Sequence, residues 1–168
     1  MSEATHPRPL VVEVERWVPA APSEAFAALA DPDLLPRWQA GLRWVRRDTP
    51  GPSGPGTRLT AERALPGRAG LTVRYATEVR AWEPPHRVVL SLTPCAPGST
   101  SPLPGVQASG AYRLTAARDG TLVAATAELA LRGPLGAALV RRRVAGEVRR
   151  ALAADLDGLA ALAAVGRE

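Results

Sequence analysis

The sequence predicts an α+β fold in which a curved antiparallel sheet of about seven strands wraps around one long C-terminal helix, with two short helices between the first two strands. Three observations predict it. Segments of alternating polarity recur from Leu10 to Leu131, separated by turn residues. A single long helical pattern follows Gly133-Pro134. The only helical signal near the start, Ala21 to Gly41, is interrupted at Asp31-Pro32.

In the first strand, "LVVEVERWV" places Leu10, Val12, Val14, Arg16 and Val18 on one face. Pro19 to Pro22 ends it. Ser23 is expected to cap the first short helix, whose apolar face is Ala25, Phe26 and Leu29. Asp31 is expected to cap the second, with Pro32 at its first position, where a missing N–H costs nothing. Strands follow at "LRWVRR" from Leu42, "TRLTAERAL" from Thr57 and "LTVRYATEVRAW" from Leu71, the last placing Leu71, Val73, Tyr75, Thr77 and Val79 on one face. "HRVVLSLT" precedes a loop, and the last hairpin joins "VQASGAYRLTAA" to "TLVAATAELAL" through Asp119-Gly120. A helix from Leu135 to Ala164 would be about 45 Å long. Its apolar stripe runs Val140, Val144, Val148, Leu152, Leu156, Leu159, with Arg141, Arg142 and Arg143 largely beside or opposite it. A straight helix on a curved sheet leaves a space at one end, which the two short helices are placed to plug. The expected organisation is a tail over 1–9, one domain over 10–164 and a short tail over 165–168.

Composition narrows the function classes. The chain has 168 residues, enough for a core with a hole in it, and 46% are apolar while only seven are aromatic. All 21 basic residues are arginines, spread over strands, loops and the last helix. The net charge of +5 favours anionic partners, yet no zinc ligand set, helix-turn-helix pattern or aromatic-basic motif accompanies it, so no nucleic acid is expected. One cysteine, Cys95, permits no intrachain disulfide and suits a reducing compartment. No basic leader precedes an apolar run and no apolar stretch is long enough to span a bilayer, so the expectation is a cytoplasmic protein without stable membrane insertion. No metal is expected, because Cys95 has no accompanying ligand set, and no cofactor, because the glycine-rich loops do not open helices as phosphate cradles do. A monomer and a homodimer both fit.

Four segments in order carry a resemblance: "VPAAPSEAFAALADPDLLPRW", "VRAWEPPHRVVL", "GAYRLTAARDGTLVAAT" and "LRGPLG". From about Leu10 to Ala164 the chain resembles the START-like (SRPBCC, helix-grip) superfamily, and within it the polyketide cyclase/dehydrase and lipid-transport group. The resemblance implies a helix-grip fold with a cavity between sheet and C-terminal helix that takes a lipid, polyketide or quinone-like molecule. It also implies that the broken first helix walls the cavity mouth, with Trp38 at its edge. The favoured reading of Trp38 is packing that staples the second short helix to the sheet, and both roles can hold together.

Candidate ligand contacts are Trp38 at the end of the second short helix, Arg16, Trp44, Val73, Tyr75, Tyr112 and Leu114 on the strands, and Val144, Val148 and Leu152 on the long helix. A buried Arg16 needs a partner, and Glu62, Glu78 and Glu128 lie on other strands. Its roles are a ligand contact or a salt bridge at the rim. The tyrosine hydroxyls are either hydrogen-bond donors to a ligand carbonyl or satisfied core groups. No catalytic residue is assigned, since no nucleophile motif or acid and base pair is recognisable, and His86 beside a turn suits the surface. The leading expectation is therefore a binding protein for an apolar small molecule. A metal-free cyclase or dehydratase acting on such a molecule and a protein or RNA interaction module remain alternatives.

Overall fold

A computed structural model describes residues 8–65, 70–96, 98–99 and 101–166. Most of the expected N-terminal tail, with His6, lies outside the described residues, as do residues 66–69 of an expected turn. Eleven segments follow in chain order: β1 (Leu10–Val18), α1 (Pro22–Ala30), α2 (Leu35–Trp38), β2 (Leu42–Arg47), β3 (Arg58–Ala64), β4 (Thr72–Glu83), β5 (Arg87–Cys95), β6 (Val106–Ala117), β7 (Gly120–Leu131), a 3-10 turn (Gly133–Gly136) and α3 (Ala138–Val165). The strands form one antiparallel sheet in the order β1-β7-β6-β5-β4-β3-β2. This is the expected helix-grip architecture.

Because β1 and β2 are the two edges, the connection between them must cross from one edge to the other, and α1 and α2 are that crossing. Two register shifts, at Leu42/Trp44 in β2 and Val79/Ala81 in β4, add local bend and twist. The inner face carries Val14, Val18, Leu114, Val123 and Ala125, and Leu156 and Leu159 of α3 join them in one buried cluster with Phe26 and Trp38. Phe26 stacks edge-on to Trp82 with ring centroids 5.1 Å apart.

Two capping expectations are corrected. Ala21, not Ser23, is the residue before α1, and the Glu24 carboxylate accepts the Ala21 N–H at 3.0 Å, with Pro22 in the first turn. Asp31 closes α1 and its carboxylate accepts the Asp33 N–H at 2.9 Å, so it holds a turn over 32–34 instead of capping a helix. The helix α2 starts later, at Leu35, with Pro36 in its first turn. The long helix likewise starts at Ala138, because Gly133–Gly136 winds as a 3-10 turn.

Glycine sets two close approaches. The β6–β7 turn residues are Arg118 and Asp119, with Asp119 at φ 59°. Gly120 follows because a Cβ there would overlap the Val18 carbonyl and the Trp17 indole. Gly158 lets α3 touch the backbone of α2, since a Cβ there would overlap the Trp38 carbonyl oxygen. Gly146, on the same helix, meets only the end of Arg150 at 3.9 Å.

The two helix glycines should therefore respond oppositely to one change. Gly158→Ala is expected to lower stability by about 1–3 kcal/mol through overpacking, whereas Gly146→Ala should raise it by about 0.5–1 kcal/mol through helix propensity. Urea unfolding of both variants checks this.

Candidate functional site

Between α3 and the concave face lies a cavity of about 310 Å³. Its walls are largely apolar: Leu35 and Trp38 from α2, Leu59 and Ala61 from β3, Val88 and Leu90 from β5, Val148 and Leu152 from α3. Gly110 widens it at the middle of β6, where even a methyl would press on Leu92 at 3.2 Å. That size lies at the lower end of ordinary small-molecule sites.

One charged cluster enters this wall. Arg63 Nη2 and Nη1 donate to Asp155 Oδ1 and Oδ2 at 2.7 and 3.2 Å, and the Ala40 N–H donates to the same Oδ1 at 2.9 Å. Arg63 Nη2 also reaches the Ala40 carbonyl at 2.6 Å. Side-chain exposure of this pair is only 16% and 4%, which makes it a buried ion pair whose desolvation must be offset by these bonds. Burial pushes the Asp155 carboxyl above its ordinary value, against the pull of Arg63 and the Ala40 N–H. Burial also opposes the Arg63 charge, but Asp155 outweighs it and holds Arg63 above its usual value.

Tyr75 and Tyr112 line the same cavity. Burial pushes both phenols up, and for both the negative Asp155 adds to it while Arg63 opposes it. They are neutral donors at physiological pH. Neither hydroxyl has a hydrogen-bond partner among the described residues, although Tyr112 is fixed by edge-on contact with Trp38 at 6.3 Å. Trp38 is itself 2% exposed and donates its indole N–H to the Ala28 carbonyl at 3.1 Å, so it both packs α2 and lines the cavity. The pocket thus offers two directed donors and a locked, internally neutral ion pair.

The structure brings Trp38, Tyr75, Tyr112, Val148 and Leu152 together around the cavity. Five other expected contacts lie elsewhere. Arg16 is outside the cavity lining, and its Nε donates to Asp157 Oδ1 at 2.8 Å between two well-exposed side chains, so its partner is a helix carboxylate and not Glu62, Glu78 or Glu128. Trp44 turns outward because the β2 register shift puts Val45 on the inner face in its place, and Arg74 sits over its ring at 5.3 Å. Val73 and Val144 are half-buried and outside the cavity lining, and Leu114 is 2% exposed within the core cluster. Arg63 and Asp155 were not among the candidates. Their signal is periodicity: Asp155 falls on the apolar stripe between Leu152 and Leu159, and Arg63 alternates with Leu59 and Ala61.

Among the described residues no cluster of His, Cys, Asp and Glu could hold a metal ion, and no helix is long and apolar enough to cross a membrane. The family model described as polyketide cyclase/dehydrase and lipid transport matches residues 9–164. No curated protein matches the sequence. Among solved structures, TTHA0849 from Thermus thermophilus is similar at 19% identity with a TM-score of 0.74, over 94% of this chain and 99% of that one. The di-domain ARO/CYC StfQ from the steffimycin biosynthetic pathway is similar at 15% identity with a TM-score of 0.72, over 95% of this chain and 52% of that one. Ara h 8.0201 is similar at 18% identity with a TM-score of 0.65, over 92% of this chain and 97% of that one. At these identities the likeness is one of fold.

Removing one partner of the ion pair should cost far more than removing both. Arg63→Met leaves a buried carboxylate unpaired and is expected to lose about 3–5 kcal/mol, most of it recovered when Asp155→Leu is added. Denaturant unfolding of single and double variants measures both.

Proposed function

The chain belongs to the polyketide cyclase/dehydrase and lipid transport family, and from that premise we propose that it binds an apolar, oxygen-bearing small molecule in the cavity between sheet and α3. The observation that carries the reading is the pair of tyrosine hydroxyls, neutral and without protein partners among the described residues, in a largely apolar wall. An apolar cavity alone takes any hydrocarbon of fitting size, whereas unpaired donors reward a ligand carbonyl or ether and penalise its absence. The neutral Arg63–Asp155 pair adds no net charge, which favours an uncharged ligand over a carboxylate. With a single cysteine and no disulfide to form within the chain, the cytoplasm is its proposed location.

A second reading, a cyclase or dehydratase, rests on the same hydroxyls. Two phenols hydrogen-bonded to one ketone would stabilise charge developing on its oxygen as an enolate forms, and the cavity walls would fold the chain that carries it. No side chain in the wall stands as an obvious base, since Asp155 is engaged by three hydrogen bonds. Binding is therefore the primary reading.

Calorimetric titration of 2-acetylnaphthalene and 2-ethylnaphthalene tests it. The wild type should prefer the ketone by roughly fivefold or more, the worth of about one net hydrogen bond, and Tyr75→Phe/Tyr112→Phe should lose that preference while unfolding at nearly the same denaturant concentration. Failure of both compounds to bind, or a preference that survives in the double variant, would contradict the proposal.

A further inference from the structure

The net charge of this protein is local. The stretch from Arg132 to Arg150 holds six arginines and one glutamate, whereas the rest of the chain holds fifteen arginines and fifteen carboxylates, so this stretch carries the whole +5. Scattered arginines conceal a single polarised end.

That end is also unusually exposed. Arg132, Arg142, Arg143, Arg149 and Arg150 are exposed, and between them stand Leu139, 74% exposed, and Leu135, 38% exposed. At about 100° per residue, Leu139, Arg142, Arg143 and Arg150 share one face of α3, opposite the cavity-lining Val148 and Leu152. The only acid of the stretch, Glu147, is tied to Arg150 at 2.6 Å. Arg141 Nη1 is buried without a partner, and among the described residues no ion pair engages Arg132, Arg141, Arg142, Arg143 or Arg149. The buried residues of α3 are Asp155, Leu156 and Leu159, all in its second half.

We propose that this face, from Arg132 through the 3-10 turn to Arg150 of α3, docks on an anionic lipid bilayer. Arginines gain from phosphate headgroups, and leucines beside them gain only if an apolar layer lies just below those headgroups. A solvated helix face would explain the arginines alone, whereas Leu135 and Leu139 set among them match the mixed polar and apolar character of a bilayer interface. Nucleic acid would reward the charge yet offers nothing to aliphatic side chains, and the face carries no aromatic ring to stack on bases. Docking there would lay the outer side of the cavity wall on a reservoir of apolar molecules. The inference does not depend on what the cavity holds.

Full-length protein is sedimented with vesicles of phosphatidylcholine alone and of phosphatidylcholine with about one-third phosphatidylglycerol. Wild type should partition onto the anionic vesicles and be released at about 0.5 M salt. Arg142→Glu/Arg143→Glu should weaken partitioning at least about tenfold. Leu139→Ser should weaken it roughly threefold to fivefold without altering its salt dependence. Arg113→Glu/Arg118→Glu, exposed arginines outside the stretch, should weaken it far less. Circular dichroism melts confirm that each variant is folded. The proposal is overturned if wild type ignores anionic vesicles at low salt, if the two charge reversals act equally, or if the protein binds RNA or an acidic protein but no vesicle.

Discussion

The pair between Arg63 and Asp155 is the constraint on which the rest of the structure turns. It joins β3 to α3, and through the Ala40 N–H and carbonyl it joins both to the link between α2 and β2. These three segments are far apart in sequence and meet nowhere else through charged groups among the described residues. A helix stripe built from alanine, valine and leucine packs against a sheet with little preference for one axial position over the next. A bidentate ion pair tolerates almost none of that sliding. Its cost in desolvation is set against that positional role, and Gly158, which seats α3 on the Trp38 backbone, fixes the same register sterically.

With the helix held there, the cavity follows from geometry and small side chains. The register shifts in β2 and β4 bend the sheet away from a straight helix, and Gly110, Ala61, Ala111, Ala127 and Ala151 leave the gap unfilled. The seven aromatic residues are therefore unevenly used. Trp38, Trp82, Tyr75 and Tyr112 face the gap, while Trp17 and Trp44 lie on the outer side of the edge strands. A core with so few large side chains either collapses around a helix or encloses space, and the ion pair with its neighbouring glycine sets the distance that encloses space.

Much of this was legible in the sequence and some was not, for definite reasons. Alternation located all seven strands, and the Asp-Pro break located the two short helices, because each signal is local. The same alternation misplaced Trp44, since one extra residue in a bulge inverts every assignment beyond it. Arg16 lies in phase with Val14 and Val18, yet a long side chain on an edge strand reaches past the core to the helix carboxylate at Asp157. Asp155 was readable as an acid on an apolar stripe, but its partner was not, because pairing β3 with a helix turn 92 residues later is a property of the tertiary fold alone. Caps failed for a similar reason: Ser23 and Asp31 are good capping residues, but Pro22 and Pro36 decide where the helices begin.

The central claim is that the cavity between sheet and α3 is a binding site and not a packing defect. Native mass spectrometry of gently purified protein tests it most directly, with wild type set beside a Gly110→Leu variant that fills the middle of the cavity. The account predicts wild-type ions heavier than the 17.6 kDa chain by an uncharged, oxygen-containing molecule that organic solvent releases, and a variant of bare chain mass. Bare chain mass for the wild type as well, before and after incubation with aromatic ketones, would contradict it.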